Sequence, residues 1–374
     1  MTMKRNAAPA RRREPLTDTM LLMLISIGIF LVMYVGAMVF LGGSFLTVQQ
    51  FFNLLNNNAY LIIIGCALTI VMIGGGINIS VGGVVGLTAM SCALLLQSEG
   101  LHDNPMAVVY ALLLALAIGL AFGAGMGALV SYLEIQPFIV SLAGMFLARG
   151  LTTILSNKPV AITHEGFSGL VSTKVSISFL GRSLNGRWIP ANLEIGAIIA
   201  IVIVVIMFLI LRYMKFGRNV YALGGNQQSA LMLGINVKRN RFMTYVISGL
   251  LSGLAGYIFI MHTPAGKTSA ALRSEMDAIA ASIIGGTSLS GGLGNVIGTF
   301  FGTMILSTIQ RIIEASGVQE SYWQEIASGA MLGLFIILQS VVLSSRAKHR
   351  TGKSAETVSL KEAPAGAGPG GTAG

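Results

Sequence analysis

Residues 212–241 read RYMKFGRNVYALGGNQQSALMLGINVKRNR, a polar stretch between two apolar runs, 193–211 and 242–262, each long enough to cross a bilayer. It holds six basic residues, Arg212, Lys215, Arg218, Lys238, Arg239 and Arg241. Such a cluster between two spans marks a cytoplasmic loop, because the basic bias of short loops sets orientation. Inside it Asn226 is placed to cap a helix, Gln227 to Leu233 to wind it, and Gly234 to close it in the left-handed conformation. A capped helix of about 10 Å suits docking to a soluble partner, and it equally suits an amphipathic helix resting on lipid headgroups.

Working outward, 54% of the 374 residues are hydrophobic and only 10% are charged, with a mean hydropathy of +0.77. That composition excludes a water-soluble domain and predicts an all-α polytopic membrane protein. The net charge of +10 does not point to nucleic acid, because the basic residues lie in loops and tails where they orient helices. Cys66 and Cys92 fall within apolar segments and read as small core residues rather than a disulfide.

Apolar runs of roughly 20 residues predict ten spans: 18–41, 56–74, 81–97, 105–126, 137–156, 193–211, 242–262, 276–289, 293–313 and 323–344. Placing both termini in the cytoplasm puts sixteen of the 24 basic residues there, with the N-terminal cluster from Lys4 to Arg13, the central loop, and the C-terminal residues Arg346 to Lys361. Six lie outside: Lys158, Lys174, Arg182, Arg187, Lys267 and Arg273. The chain therefore divides into a basic tail (1–17), a transmembrane domain (18–345) and a tail of low complexity (346–374). The first span is longer than the apolar core of a cleavable signal and reads as a retained helix. In the long outer loop 157–192, the alternating VSTKVSISFL is compatible with a strand or a membrane-surface segment.

Two glycine-rich passages interrupt the spans, IGGGINISVGGVVG from Ile73 and IGGTSLSGGLGNVIG from Ile284. Their shared Ile-Gly-Gly, Ser, Gly-Gly order suggests an internal duplication with broken helices at matching positions. Asn78, Ser80, Thr287, Ser288, Ser290 and Asn295 add polar groups fit to line a wet path. Close helix packing through small residues explains the glycines equally well. An inverted repeat would set the passages on opposite sides, whereas the span count puts both near the cytoplasm.

Arg149, inside the fifth span, must find a partner, reach water or snorkel, and the nearby span end at Ser156 favours snorkelling outward. Glu275 and Asp277 open the eighth span at its outer end, where a helix N-terminus accommodates negative charge. No carboxylate is placed at mid-membrane, which weighs against a proton-coupled mechanism. The four histidines show no metal-ligand spacing, and there is no G-x-x-x-x-G-K-[ST] loop, no H-E-x-x-H and no Ser/His/Asp array. If ATP powers this protein, another chain binds it.

The central FGRNVYALGGNQQSALMLGINV resembles the coupling segment of inner-membrane permeases of monosaccharide ABC importers, the ribose, xylose and galactofuranose group. The resemblance extends through GGGINISVGG, PFIVSLAGMFLARG and EMDAIAASIIGGTSLSGGLGNVIGT, in family order over most of 45–343. SLAGMFLARG and VYALGGN are most similar to the galactofuranose type. The resemblance implies a permease that pairs with a like or related permease, binds an ATPase subunit, and receives a monosaccharide from a periplasmic sugar-binding protein in the bacterial inner membrane. It implies no catalytic residue, no metal and no cofactor in this chain, ATP lying on the partner subunit. Gly225, Asn226, Ser229, Ala230, Gly234 and Ile235 match the coupling motif. Gly75, Gly76, Ser80 and Gly82, then Asp277, Gly285, Gly286, Thr287, Ser290, Gly291 and Gly292, match the glycine passages and are candidates for the substrate path. Asn78 joins them, although the family usually has Asp there. An ion-coupled secondary sugar transporter is the alternative, and the sugar is not legible.

Overall fold

The computed structural model describes residues 18–42, 45, 47–101, 104–184, 187–315 and, in pieces, 322–323, 326–327, 329–330 and 332–337. The predicted tails 1–17 and 346–374, and half of the tenth span, lie outside the described residues.

The first half runs α1 (Asp18–Leu41), α2 (Val48–Asn57), α3 (Ala59–Ile73), α4 (Val81–Leu96), α5 (Ala107–Ser131) and α6 (Pro137–Leu155). Proline at the first position of α6 uses a residue with no N–H where none is needed. Next come β1 (Val160–Ala161), α7 (Glu165–Ser172), β2 (Lys174–Leu184) and β3 (Arg187–Glu194). The second half has α8 (Ile195–Tyr213), α9 (Lys215–Gly225), α10 (Gln227–Met232), α11 (Val237–His262), β4 (Ala265–Gly266), α12 (Ser274–Ile284) and α13 (Val296–Ala315).

Six of these helices, α1, α5, α6, α8, α11 and α13, are long and apolar enough to cross a membrane, or seven spans if α2 and α3, bent by 58°, count as one. Ten spans of about 20 residues were expected, and among the described residues six or seven have that length. The eighth span, read as 276–289, stops at Ile284 and has 11 residues, a rise of about 16 Å. Hydropathy counted it whole because the glycine-rich chain beyond it is apolar without being helical. In the loop 157–192, β2 and β3 form an antiparallel hairpin, so the alternating segment is a strand from Lys174 onward. The protein is mostly helical rather than all-α.

The core lies around α3, α4 and α11. Gly249 and Gly253 of α11 meet Gly119, Gly123 and Ala115 of α5 without intervening side chains, and a Cβ on Gly249 would overlap the Gly119 carbonyl oxygen. In lipid, where apolar surface alone does not drive helices together, such backbone approach is what holds them.

The connections sort to two ends. At one, Leu22 of α1 packs on Gly286, the Ile73 carbonyl accepts from the Gly292 N–H (2.9 Å), and Glu134 pairs with Lys238 (2.9 Å) beside α10. At the other, Gln97 reaches Ala161 and Thr163, the Gln49 side-chain Oε1 accepts from the Asn192 N–H (2.7 Å), and His262 meets Glu194 (3.0 Å) below the hairpin.

Candidate functional site

At the α10 end the sequence sets three helix stops by one device. In α10 the Asn226 side chain accepts from the Ser229 N–H (2.9 Å). The helix then closes with Gly234 N–H to Leu231 O (2.9 Å) and Ile235 N–H to Ala230 O (3.1 Å), Gly234 standing at φ +76°. This pair of bonds is a Schellman closure, which satisfies carbonyls orphaned at a helix end. α3 repeats it at Gly75 (φ +77°), with Gly76 N–H to Val71 O, and α12 repeats it at Gly286 (φ +88°), with Thr287 N–H to Ser282 O. The two Ile-Gly-Gly passages are therefore alike in structure and lie together at one end.

α10 turns Leu231, Met232 and Leu233 outward, with 89% of Met232 exposed, while Ala230 is buried. Beside it, the turn between α5 and α6 and the start of α11 enclose a cavity of about 650 Å³ lined by Glu134, Ile135, Pro137, Leu231, Ile235 and Lys238, among others. The Lys238 ammonium holds the Glu134 carboxyl below its ordinary range, and Arg241 donates to the Gln227 side chain (2.7 Å). Of the candidate coupling residues, Ser229 and Ala230 lie on α10, Asn226 caps its start, Gly234 and Ile235 close its end, and Gly225 is the last residue of α9.

The end of α9 lodges between the two glycine passages. A Cβ on Gly224 would overlap the Ile73 carbonyl oxygen, and one on Gly291 would come 2.9 Å from both Gly224 O and Gly75 Cα. Tyr221 donates to Gly294 O (2.7 Å), and burial pushes its phenol up to about 12, so it remains a donor at neutral pH. Neither Gly224 nor Tyr221 was among the sequence candidates. Their signal, an aromatic one helical turn before a Gly-Gly pair, has no meaning until the partner backbone is in place.

The unwound stretch 76–80 climbs along α11, Ile77 O accepting from Tyr245 (3.0 Å) and Asn78 donating to Ser248 (3.0 Å), before α4 begins. The stretch 266–271 descends along α4, Gly266 facing Ala93 and Ala271 facing Gly82, before α12 begins. The N-termini of α4 and α12 thus meet, and the two helices leave in opposite directions. The stretches 74–82 and 263–275, rather than the two Ile-Gly-Gly passages, are thus the ones that run in opposite senses.

Arg149 fills that meeting point. It turns inward, not outward as expected, and donates to Ala270 O (2.6 Å) and Ala271 O (2.7 Å), with Glu275 Oε2 at 3.9 Å. The carbonyls freed by unwinding 266–271 supply the partners that the helix alone could not offer. Glu275 is 6% exposed, the one buried carboxylate among the described residues, and its Oε2 lies against Gly82 without a hydrogen bond. Expected at the outer end of a span, Glu275 is instead enclosed within the protein, because α12 begins against the start of α4.

The path candidates divide accordingly. Gly75, Gly291 and Gly292 gather at the α9 junction, with Gly76 against Tyr245, and Gly285 and Gly286 against α13 and α1. Asn78 and Ser80 are fully buried, and Asn78 Oδ1 accepts from Ser80 Oγ (2.7 Å). Thr287 Oγ1 is buried without a partner, whereas Ser290 is exposed. Asp277 stands apart at the opposite end of α12. No group of His, Cys, Asp or Glu able to hold a metal occurs among the described residues.

The family model of branched-chain amino acid transport system permease components matches residues 50–338. The chain belongs to this permease family. The permease is 37% identical to the inner membrane ABC transporter permease protein YjfF of Escherichia coli K12, over 85% of this chain and 91% of that one. It is 35% identical to the ribose import permease RbsC of Bacillus subtilis (83% and 90%) and 32% identical to the fructose import permease FruG of Bifidobacterium longum (86% and 91%). No solved structure matches the permease.

Proposed function

We propose that this permease is the transmembrane subunit of an ABC importer that carries a monosaccharide, a pentose or hexose such as galactofuranose, across the bacterial inner membrane. A separate ATPase subunit supplies the energy. The observation that carries the reading is the sugar-permease relatives spanning most of this chain, together with a capped α10 that exposes Leu231, Met232 and Leu233 beside a basic surface. An apolar tip held on a short rigid helix suits insertion into a groove of a partner. A second permease and a periplasmic sugar-binding protein complete the assembly. Ten crossings, with α12 as a short one and both termini cytoplasmic, fit the sorting of connections to two ends. ATP is the partner's cofactor; this chain holds none and is no enzyme.

Proteoliposomes test the reading: uptake of radiolabelled monosaccharide is expected to require the ATPase subunit, the binding protein and ATP together. Uptake by this chain alone, driven by a pH gradient and abolished by an uncoupler, would replace it with ion-coupled transport, for which Glu275 is the available carboxylate.

A further inference from the structure

A docking helix at the surface has to act on broken spans that it does not touch. We infer that Gly224 and Tyr221 are the positioning residues that couple α10 to both glycine passages, an inference that rests on the import function proposed above. Asn226 alone separates the two helices, serving as C-cap of α9 and N-cap of α10. A displacement of α10 is therefore delivered to α9 with no slack loop between them.

The far side of α9 receives it without side chains. The hydrogen bond from Gly292 N–H to Ile73 O (2.9 Å) ties the second passage to the end of α3, and Gly224 sits on that bond. A Cβ at 224 would overlap Ile73 O and stand 2.5 Å from Gly292 N. Backbone against backbone leaves no rotamer to absorb a shift, so the contact either holds or moves as a unit. One turn earlier, Tyr221 fixes the rotation of α9 through its bond to Gly294 O. Gly125, exposed on α5 and outside both the coupling motif and the glycine passages, is the control: a Cβ there meets nothing within 4 Å.

The test uses the permease co-purified with its ATPase and reconstituted in liposomes, with Ser290→Cys as a reporter in the second passage and a small polar maleimide as probe. ATP turnover is expected to change the labelling rate in the parent chain and in Gly125→Ala. Gly224→Ala and Tyr221→Phe should keep the ATPase bound and hydrolysing while the ATP-dependent change shrinks on the order of tenfold, within the usual range of a coupling free energy. A purely structural role would lower yield or ATPase retention instead. Equal responses in Gly224→Ala and Gly125→Ala, or an unaltered response in Tyr221→Phe, overturn the inference. So does a parent chain whose labelling ignores ATP although the ATPase is present. If Gly224→Ala does not accumulate, Tyr221→Phe, which removes one oxygen atom, decides. Absence of any ATPase from the purified parent would overturn the import reading itself.

Discussion

Arg149 shows how one residue can be stable in a place where its type is costly. A lone arginine at a helix centre in lipid costs about 2.5–3.5 kcal/mol on insertion scales, yet here the guanidinium reaches two backbone carbonyls and a carboxylate. Lysine presents a point charge rather than a planar fork and does not match two adjacent carbonyls. Arg149→Lys and Arg149→Met are both expected to lower stability, by about 3 kcal/mol for the latter, the scale for stripping a partner from a buried pair. Unfolding of the purified protein in detergent measures this, and a lysine variant as stable as the parent contradicts it. Gly234 makes a smaller, purely conformational prediction. A Cβ there meets nothing within 4 Å, so Gly234→Ala should cost only the left-handed penalty of about 1 kcal/mol. Import should fall with little change in global unfolding, and unchanged import would remove α10 from the coupling route.

Helices and strands carry their own consequences. The exposed run Leu231 to Leu233 predicts that Met232→Glu prevents co-purification of the ATPase while the permease still inserts; retention at parental levels would place docking elsewhere. At the opposite end, the His262 imidazole and then Lys174 hold the Glu194 carboxyl below its ordinary range where β3 enters α8. A depressed carboxylate contributes fully above its unfolded value of about 4 and loses that contribution as pH falls through the folded one. Amide exchange around residues 190–196 should therefore quicken only in acid below about pH 4, and Glu194→Gln should flatten that dependence. A step near neutrality instead would assign the control to another group. The long elements were legible because period and caps agree locally: 18–41 matches α1, and Asn226 and Gly234 bound α10 as read. α12 and the turn of Arg149 were not. Both depend on chain unwound between residues 263 and 273, whose polar TPAGKTSAALR reads as a surface loop and gives no sign that it enters between helices.

For the molecule as a whole, the sorting of connections predicts an accessibility map. Cys66 and Cys92 are buried and should resist a polar thiol reagent, giving a quiet background. In the resting permease Ser290→Cys should label, whereas cysteines at Asn78 and Ser80 should not, since both are enclosed. Labelling of Asn78→Cys only during ATP turnover would mark its region as part of a path that opens; protection in every state would assign the first passage to packing. The meeting of α4 and α12 carries one more consequence, an electrical one. Arg149 and Glu275 offset each other in charge, but the two facing helix ends each contribute roughly half a positive elementary charge. A sodium ion or proton brought to this level is repelled from both sides, while an uncharged solute is not. A path opening beside this point would pass a neutral solute more readily than a cation, which helps preserve a membrane voltage worth about 2.3 kcal/mol per charge at 100 mV.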